Sequence, residues 1–315
     1  MNSTLVTARA NGTASGKVLI SGEHSVVYGY PALVAAISGS STAYVVERKS
    51  AQQQAVPILE SFTEQLLEVF FAAFPHIRES GADITLQFET DLPIQSGLGS
   101  SASFATAGLR ALAQWADVSL QDDNLFRLAI ESERFMHGNP SGADAAAVVY
   151  QGVLRCQKVD GVLQRQRVGL SSHTLPSFFL IQSGKPAETT KEMVTYVRTR
   201  YDDSSAYRDV LHQIGETTIE MQRAMEQAAF SAFLRCVEEN QALLSQLGVV
   251  SESTEKLIAQ LRDIGAVAKV TGAGGRKQGS GMVLVFHEDP DTLLEFCKTH
   301  EYDYLETTIE HGRLI

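Results

Sequence analysis

Apolar positions recur at helical spacing along several long stretches of the chain. In ESFTEQLLEVFFAAF (60–74), Phe62, Leu66, Val69, Phe70 and Ala73 share one face, which predicts an amphipathic helix. The same spacing runs from Ser100 to Trp115 and through DDNLFRLAIESERFMH (122–137), whose acidic first turn suits a helix N-terminus. Residues 190–246 read as mostly helical. SESTEKLIAQLRDIGA (251–266) reads as a helix capped by Ser251, with Glu255 one position late for a capping box, and PDTLLEFCKTH as a last helix. Alternation marks strands instead. Ile84, Leu86 and Phe88 alternate in ADITLQFET (82–90), and STAYVVERK, LPSFFLIQSG, AVAKV and GSGMVLVFHED have strand character. Near the start, 4–10 and 17–21 read as short strands split by the turn-rich NGTASG, and PALVAAI (31–37) fits either a helix or a buried strand. Strands and helices mix without a regular βαβ rhythm, so the expected class is α+β. A composition shift near 150–155 places a domain boundary there, giving 1–154 and 155–315.

Composition narrows the function. A chain of 315 residues, 44% hydrophobic and 20% charged, has the profile of a soluble globular protein. Its net charge of −11, without a Lys/Arg cluster, argues against nucleic acid as a partner and leaves only local sites for an anion. Cys156, Cys236 and Cys297 lie far apart, which speaks against a zinc site or a disulfide framework and for a reducing compartment. The first twenty residues lack a signal-peptide pattern, and Asn2 and Asn11 then match a glycosylation pattern by chance. The longest apolar run, near VVYGYPALVAAI, is too short at about 12 residues to span a bilayer. The expectation is a cytoplasmic protein with no membrane partner.

Four segments carry candidate chemistry. PIQSGLGSSASFATAG (93–108) sets Gly97 and Gly99 just ahead of a helix whose first turn carries Ser100, Ser101 and Ser103. An N-terminus there offers unpaired N–H groups and partial positive charge, which predicts a polyphosphate cradle. An ordinary capped helix start remains open on this segment alone. Gly97-Leu-Gly99-Ser-Ser-Ala102 also fits a dinucleotide fingerprint, but DLPIQS is a poor strand before it. SGKVLISGEHSVVYGYPAL (15–33) presses Lys17, Glu23 and His24 between apolar runs, as a cleft lining would. IESERFMHGNPSGAD (130–144) carries Glu133 near a helix end and Asp144 beyond a turn that can bring the two carboxylates together. A carboxylate, a serine hydroxyl and phosphate oxygens suit Mg²⁺, and a second carboxylate can accept a substrate proton. Alone, Glu133 reads as a helix salt bridge with Arg127 or Arg134. KVTGAGGRKQGSGMVLVF (269–286) places Gly272, Gly274 and Gly275 after a strand, where they could press backbone amides against phosphates or substrate; a flexible hairpin loop is the alternative, and Arg276, Lys277 and Gln278 agree with it.

In this order the four segments resemble the GHMP small-molecule kinase superfamily over nearly the whole chain. Within it, HGNPSGAD resembles the mevalonate-phosphorylating branch. Ser15 stands where that family usually has a proline, and RKQGSG replaces its usual glycine run and cysteine. The resemblance implies a two-domain fold, with a ribosomal-protein-S5-like N-terminal domain and a ferredoxin-like C-terminal domain. It implies that Pro93, Gly97, Leu98, Gly99, Ser100, Ser101, Ala102 and Ser103 wrap the ATP phosphates. Ser101 and Glu133 would hold Mg²⁺, Asp144 would be the base for the acceptor hydroxyl, and Lys17 would stabilise charge on the transferring phosphoryl. Glu23, His24, Arg155, Gly272 and Ala273 would meet the acceptor. The reaction implied is phosphorylation of the C5 hydroxyl of (R)-mevalonate by ATP. Phosphomevalonate, the mevalonate 3-hydroxyl, homoserine, a sugar and a non-catalytic paralogue are the alternatives. A homodimer is also suggested.

Overall fold

The computed structural model describes residues 8–48, 58–78, 83–93, 96–137, 141–170, 175 and 177–310. The chain divides into two compact units, one holding residues 1–16, 39–94 and 98–151, the other 17–38, 95–97 and 152–315. Strands β1 (Ala10–Ser21) and β2 (Ala32–Glu47) contribute residues to both.

In the first unit the far half of β2 pairs antiparallel with β3 (Ile84–Thr90), from Ser41 opposite Thr90 to Glu47 opposite Ile84. Five helices accompany them: α1 (Ile58–Ala73), α2 (Pro75–Arg78), α3 (Ser100–Trp115), α4 (Asp122–His137) and α5 (Ala143–Tyr150). The stripe expected on α1 is buried at Phe62, Leu66, Val69 and Phe70, in one core with Leu86, Phe104 and Leu112. Ala73 at the end of that stripe is only partly buried. Helices α3, α4 and α5 pack pairwise on one another.

The start of the chain departs from expectation. The segment NGTASG does not turn but continues β1. The reason is α3, which lies directly on the strand. A Cβ at Gly12 would stand 2.8 Å from the Arg110 Cβ and would run into the Ala107 carbonyl and the Ala111 amide. Glycine inside a strand here marks a close backbone approach rather than a break. Residues 4–7 of the expected first strand lie outside the described residues. Likewise PALVAAI and STAYVVE form one long strand, β2, because Ala32–Ile37 is buried throughout.

In the second unit the near half of β2 pairs with β4 (Val153–Val159), Ala32 opposite Cys156, and β4 pairs with β5 (Val162–Arg167). The two-residue turn between them has Asp160 at φ 50° and Gly161 at φ 81°, a conformation that Asp-Gly favours. A four-stranded antiparallel sheet follows, ordered β7 (Val267–Val270), β8 (Met282–Phe286), β6 (Phe178–Gln182) and β9 (Tyr304–Thr307). With it come α6 (Thr190–Asp203), α7 (Ser205–Glu226), α8 (Phe230–Leu247), α9 (Glu252–Asp263) and α10 (Pro290–Thr299). Phe179, Ile181, Val283 and Val285 meet Leu244, Leu247, Leu257 and Leu261 in the core of this unit. Ser251 caps α9 by accepting the Thr254 N–H, but the reciprocal capping box forms at Thr189 and Glu192, at the head of α6.

No helix among the described residues is long and apolar enough to cross a membrane. All three cysteines are buried.

Candidate active site

In the first unit the candidate groups lie on α3, α4 and α5. The N-cap of α3 is Gly99, in the left-handed region at φ 75°, and no side chain caps the first turn. Gly97 is also left-handed, at φ 83°. The Oγ atoms of Ser100 and Ser101 are shut off from solvent and have no hydrogen-bond partner among the described residues. Buried hydroxyls and first-turn amides left without acceptors are costly in a finished structure, and a bound anion or cation would satisfy them. Ser103 has another role: its hydroxyl donates to the Ala14 carbonyl at 3.1 Å. With Arg110 Nη1 donating to the Thr13 carbonyl (2.8 Å) and the Asn11 N–H donating to Gln114 Oε1 (2.9 Å), it stitches α3 along β1. The helix start is therefore held by groups behind it, and Leu98 and Ala102, both fully buried, anchor the turn. Pro93 stands at the end of the described segment that precedes this turn.

Glu133 is buried near the end of α4. Asp144 lies in the first turn of α5, half-buried, behind the left-handed N-cap Gly142 at φ 80°. Its neighbours Ala143, Ala145, Ala146 and Ala147 are buried, so small side chains seat α5 closely against α3 and α4. A structural carboxylate is rarely so buried unless it is paired or holds a cation.

The second unit holds the other group. Lys17 lies in the part of β1 belonging to this unit and is buried. At the end of the strand Gly22 turns the chain at φ 98°, where a Cβ would come within 2.5 Å of the Ala32 Cα. Glu23 follows, and then His24 in the left-handed region at φ 59°, leading into a 3-10 turn, Ser25–Tyr28. Tyr28 stacks on Tyr201 of α6, ring centroids 4.0 Å apart, which pins the far end of the turn. Residues 269–273 run beside this segment. Lys269 pairs with Glu23 Oε1, Thr271 Oγ1 donates to the Leu19 carbonyl at 2.8 Å, and His24 Nε2 meets the Ala273 carbonyl at 3.1 Å. A carbonyl only accepts, so His24 carries its proton on Nε2 and presents Nδ1 as an acceptor.

Burial pushes the Glu23 carboxyl up and the Lys269 ammonium down from their ordinary values, each opposed by the partner's charge. Lys17 also acts on Glu23, in the lowering direction. Burial lowers His24 to about 4. Its imidazole stays neutral in the folded protein while the unfolded chain takes up a proton below about pH 6.5. The unfolded state then binds more protons, so stability falls as pH drops through that window. Wild type should lose about 2 kcal/mol more than His24→Gln between pH 7 and 5 in urea unfolding. Equal losses would show that His24 titrates normally.

The third glycine segment is held, not loose. The Gly275 N–H donates to the Val249 carbonyl (2.9 Å), Ser280 Oγ to the Gly275 carbonyl (2.9 Å), and the Arg276 N–H to Glu188 Oε2 (3.2 Å). The Arg276 guanidinium lies 3.9 Å from the centroid of the Tyr196 ring. The residues that replace the usual glycine run thus anchor the loop. Gly272 keeps φ 89° with open space where a Cβ would project, so its backbone is approachable. Arg155 lies on β4, half-buried, with Nη2 donating to Gln157 Oε1 at 2.6 Å. Gln157 Nε2 in turn donates to the Gly29 carbonyl at 2.8 Å, linking Arg155 to the turn that carries Glu23 and His24.

Sequence reasoning missed Lys269 and Thr271. Their signal was the alternation of 269, 271 and 273 on one side of a chain whose intervening residues are apolar or glycine.

Residues 62–152 match the family model described as the GHMP kinases N terminal domain. Together with its architecture, this gives the chain the fold and the N-terminal module of the GHMP kinases. Within that class it is most like the mevalonate kinases. It is 29% identical to the mevalonate kinase of Aeropyrum pernix over 293 residues, covering 84% of this chain and 86% of the relative. It is 27% identical to that of Thermococcus onnurineus, over 85% of this chain and 87% of the relative. The crystal structure of L. major mevalonate kinase in complex with R-mevalonate superposes with a TM-score of 0.79, at 20% identity, over 96% of each chain.

Proposed function

We propose that this chain transfers the γ-phosphoryl group of ATP to the C5 hydroxyl of (R)-mevalonate, giving 5-phosphomevalonate and ADP in the cytoplasm. The observation that carries the phosphoryl-transfer reading is the start of α3: an uncapped helix end, two left-handed glycines and two buried serine hydroxyls without partners. Similarity to mevalonate kinases over more than four-fifths of the chain supports the acceptor.

In this reading the α3 amides and the turn Gly97–Ser103 bind the triphosphate. Ser101 and Glu133 would hold Mg²⁺, and their donor set fits it: one hydroxyl oxygen that lacks a partner and one carboxylate, with phosphate oxygens to complete the shell. When bound, the ion neutralises charge on the phosphate oxygens. Asp144 accepts the proton of the C5 hydroxyl as the new O–P bond forms and the bond to the β-phosphate oxygen breaks. Lys17 compensates the charge that develops on the transferring group. Catalysis is then mostly positioning and electrostatic stabilisation. Glu23, His24, Arg155, Gly272 and Ala273 orient the acceptor.

A coupled assay of ADP release over mevalonate, 5-phosphomevalonate, homoserine and galactose tests the assignment. Mevalonate should give turnover at least about 100-fold above the others in kcat/KM. Faster turnover of another acceptor, or none with mevalonate, overturns it.

A further inference from the structure

Ser280 stands in the RKQGSG segment, where a glycine run is usual, and is buried at 1% exposure. Three other stretches of chain meet on it. Its Oγ donates to the Gly275 carbonyl at 2.9 Å and accepts the Ser251 N–H at 2.9 Å, with Ser251 Oγ 3.4 Å away. Its own N–H donates to Ser183 Oγ at 3.1 Å. Ser183 Oγ in turn donates to the Gly281 carbonyl at 2.8 Å and accepts from Thr254 Oγ1 at 3.1 Å. Thr254 Oγ1 lies 2.9 Å from Ser251 Oγ, which closes the network at the head of α9. A hydroxyl has one donor and two acceptor sites, so Ser280 can bridge two backbone groups where a glycine could bridge neither. Two backbone bonds complete the frame: Thr271 N–H to the Met282 carbonyl at 3.0 Å, and Gly275 N–H to the Val249 carbonyl at 2.9 Å. Between these anchors lie only Gly272, Ala273 and Gly274. A Cβ at Gly274 would come 2.2 Å from the Val249 carbonyl oxygen, whereas one at Gly272 would meet nothing within 4 Å. The arch is fixed at both ends and open at Gly272.

We infer that Ser280 is a positioning residue for the acceptor: its hydroxyl ties the Gly275 carbonyl to the head of α9 and so holds the backbone of Gly272 and Ala273 in place before the acceptor arrives. This rests on the proposed function, in which those two residues orient the acceptor, and adds to it a residue that touches no substrate. Glycines leave a backbone free to take many conformations, and that freedom must be given up when a ligand binds. The hydroxyl network removes it in advance. A buried network of this kind is strong only while every member is satisfied, so the loss of one oxygen reaches the whole arch. The Gly275 carbonyl and the Ser251 N–H would then both lose their side-chain partner. The consequence falls on the acceptor and not on the nucleotide, whose phosphates the proposed function gives to the turn Gly97–Ser103.

The test measures steady-state kinetics with mevalonate and ATP in wild type, Ser280→Ala, Ser280→Gly, Thr254→Val and the Ser280→Ala/Thr254→Val double variant. Ser280→Ala should raise the KM for mevalonate by about tenfold while the KM for ATP stays within about twofold and kcat within about threefold. A role in stability alone would lower the melting temperature and the active fraction and leave the mevalonate KM where it was. Ser280→Gly restores the residue type usual in such a segment but not the oxygen, and should be impaired at least as much as Ser280→Ala. Thr254→Val keeps the shape and removes one link of the network, so the mevalonate KM should rise by about threefold. The double variant should lose less than the product of the two single effects. An unchanged mevalonate KM in Ser280→Ala, an equal rise in both KM values, wild-type behaviour of Ser280→Gly, or independent effects in the double variant overturns the inference. If Ser280→Ala fails to fold, as its melting curve would show, Thr254→Val decides by the same pair of KM values. Wild-type turnover of mevalonate is the separate readout of the proposed function: its absence sinks that reading, whereas turnover without the Ser280 effects sinks only this one.

Discussion

Replacing Asp144 by alanine should lower kcat by about 10³-fold or more while the dissociation constant for ATP changes by less than about twofold. The asymmetry follows from where the residue sits. The carboxylate is on the first turn of α5, half-buried, while the neighbouring alanines are buried and hold the helix in place. Truncation therefore removes the proposed proton acceptor, while the turn at the head of α3 lies on another helix. Asp144→Asn, nearly the same shape without a base, should be almost as inactive. Rapid-quench turnover and nucleotide titration separate the two quantities. A variant that retains kcat within about tenfold of wild type would remove Asp144 from the role of base.

Glu133→Gln and Ser101→Ala should each shift the Mg²⁺ concentration needed for half-maximal activity upward by about tenfold or more. Glu133→Gln preserves volume at a buried position, so the shift reports charge and not a cavity. Ser101→Ala deletes a hydroxyl that has no protein partner. The melting temperature should hold while the Mg²⁺ requirement rises. An unchanged titration in either variant would strike that residue from the ligand set.

The elements easiest to read from sequence were those whose signals are local. The bounds of α3 and α4 coincide with the expected ones, Ser100–Trp115 and Asp122–His137. Apolar spacing of 3.6, acidic residues in a first turn and glycine before a helix all act within a few residues of where they stand. The uncapped, glycine-led entrance to α3 was legible for the same reason. The β4–β5 hairpin is equally local, in the Asp160-Gly161 turn between Val159 and Val162.

The sequence by itself determined where the glycine–serine turn and the carboxylates of Glu133 and Asp144 stand relative to the helices, and that helices and strands would mix without parallel repeats. Those properties are written in residue type and spacing. Only the tertiary structure decided that Gly12 continues a strand, because the reason is a helix nearly a hundred residues further along the chain. It alone showed that Arg276 anchors the third glycine segment against Tyr196. It alone showed that Lys269, which a reader would leave in solvent, is buried against Glu23 across 246 residues of chain. A buried charge is tolerable only beside its partner, and that partnership exists only after the fold has brought distant residues together.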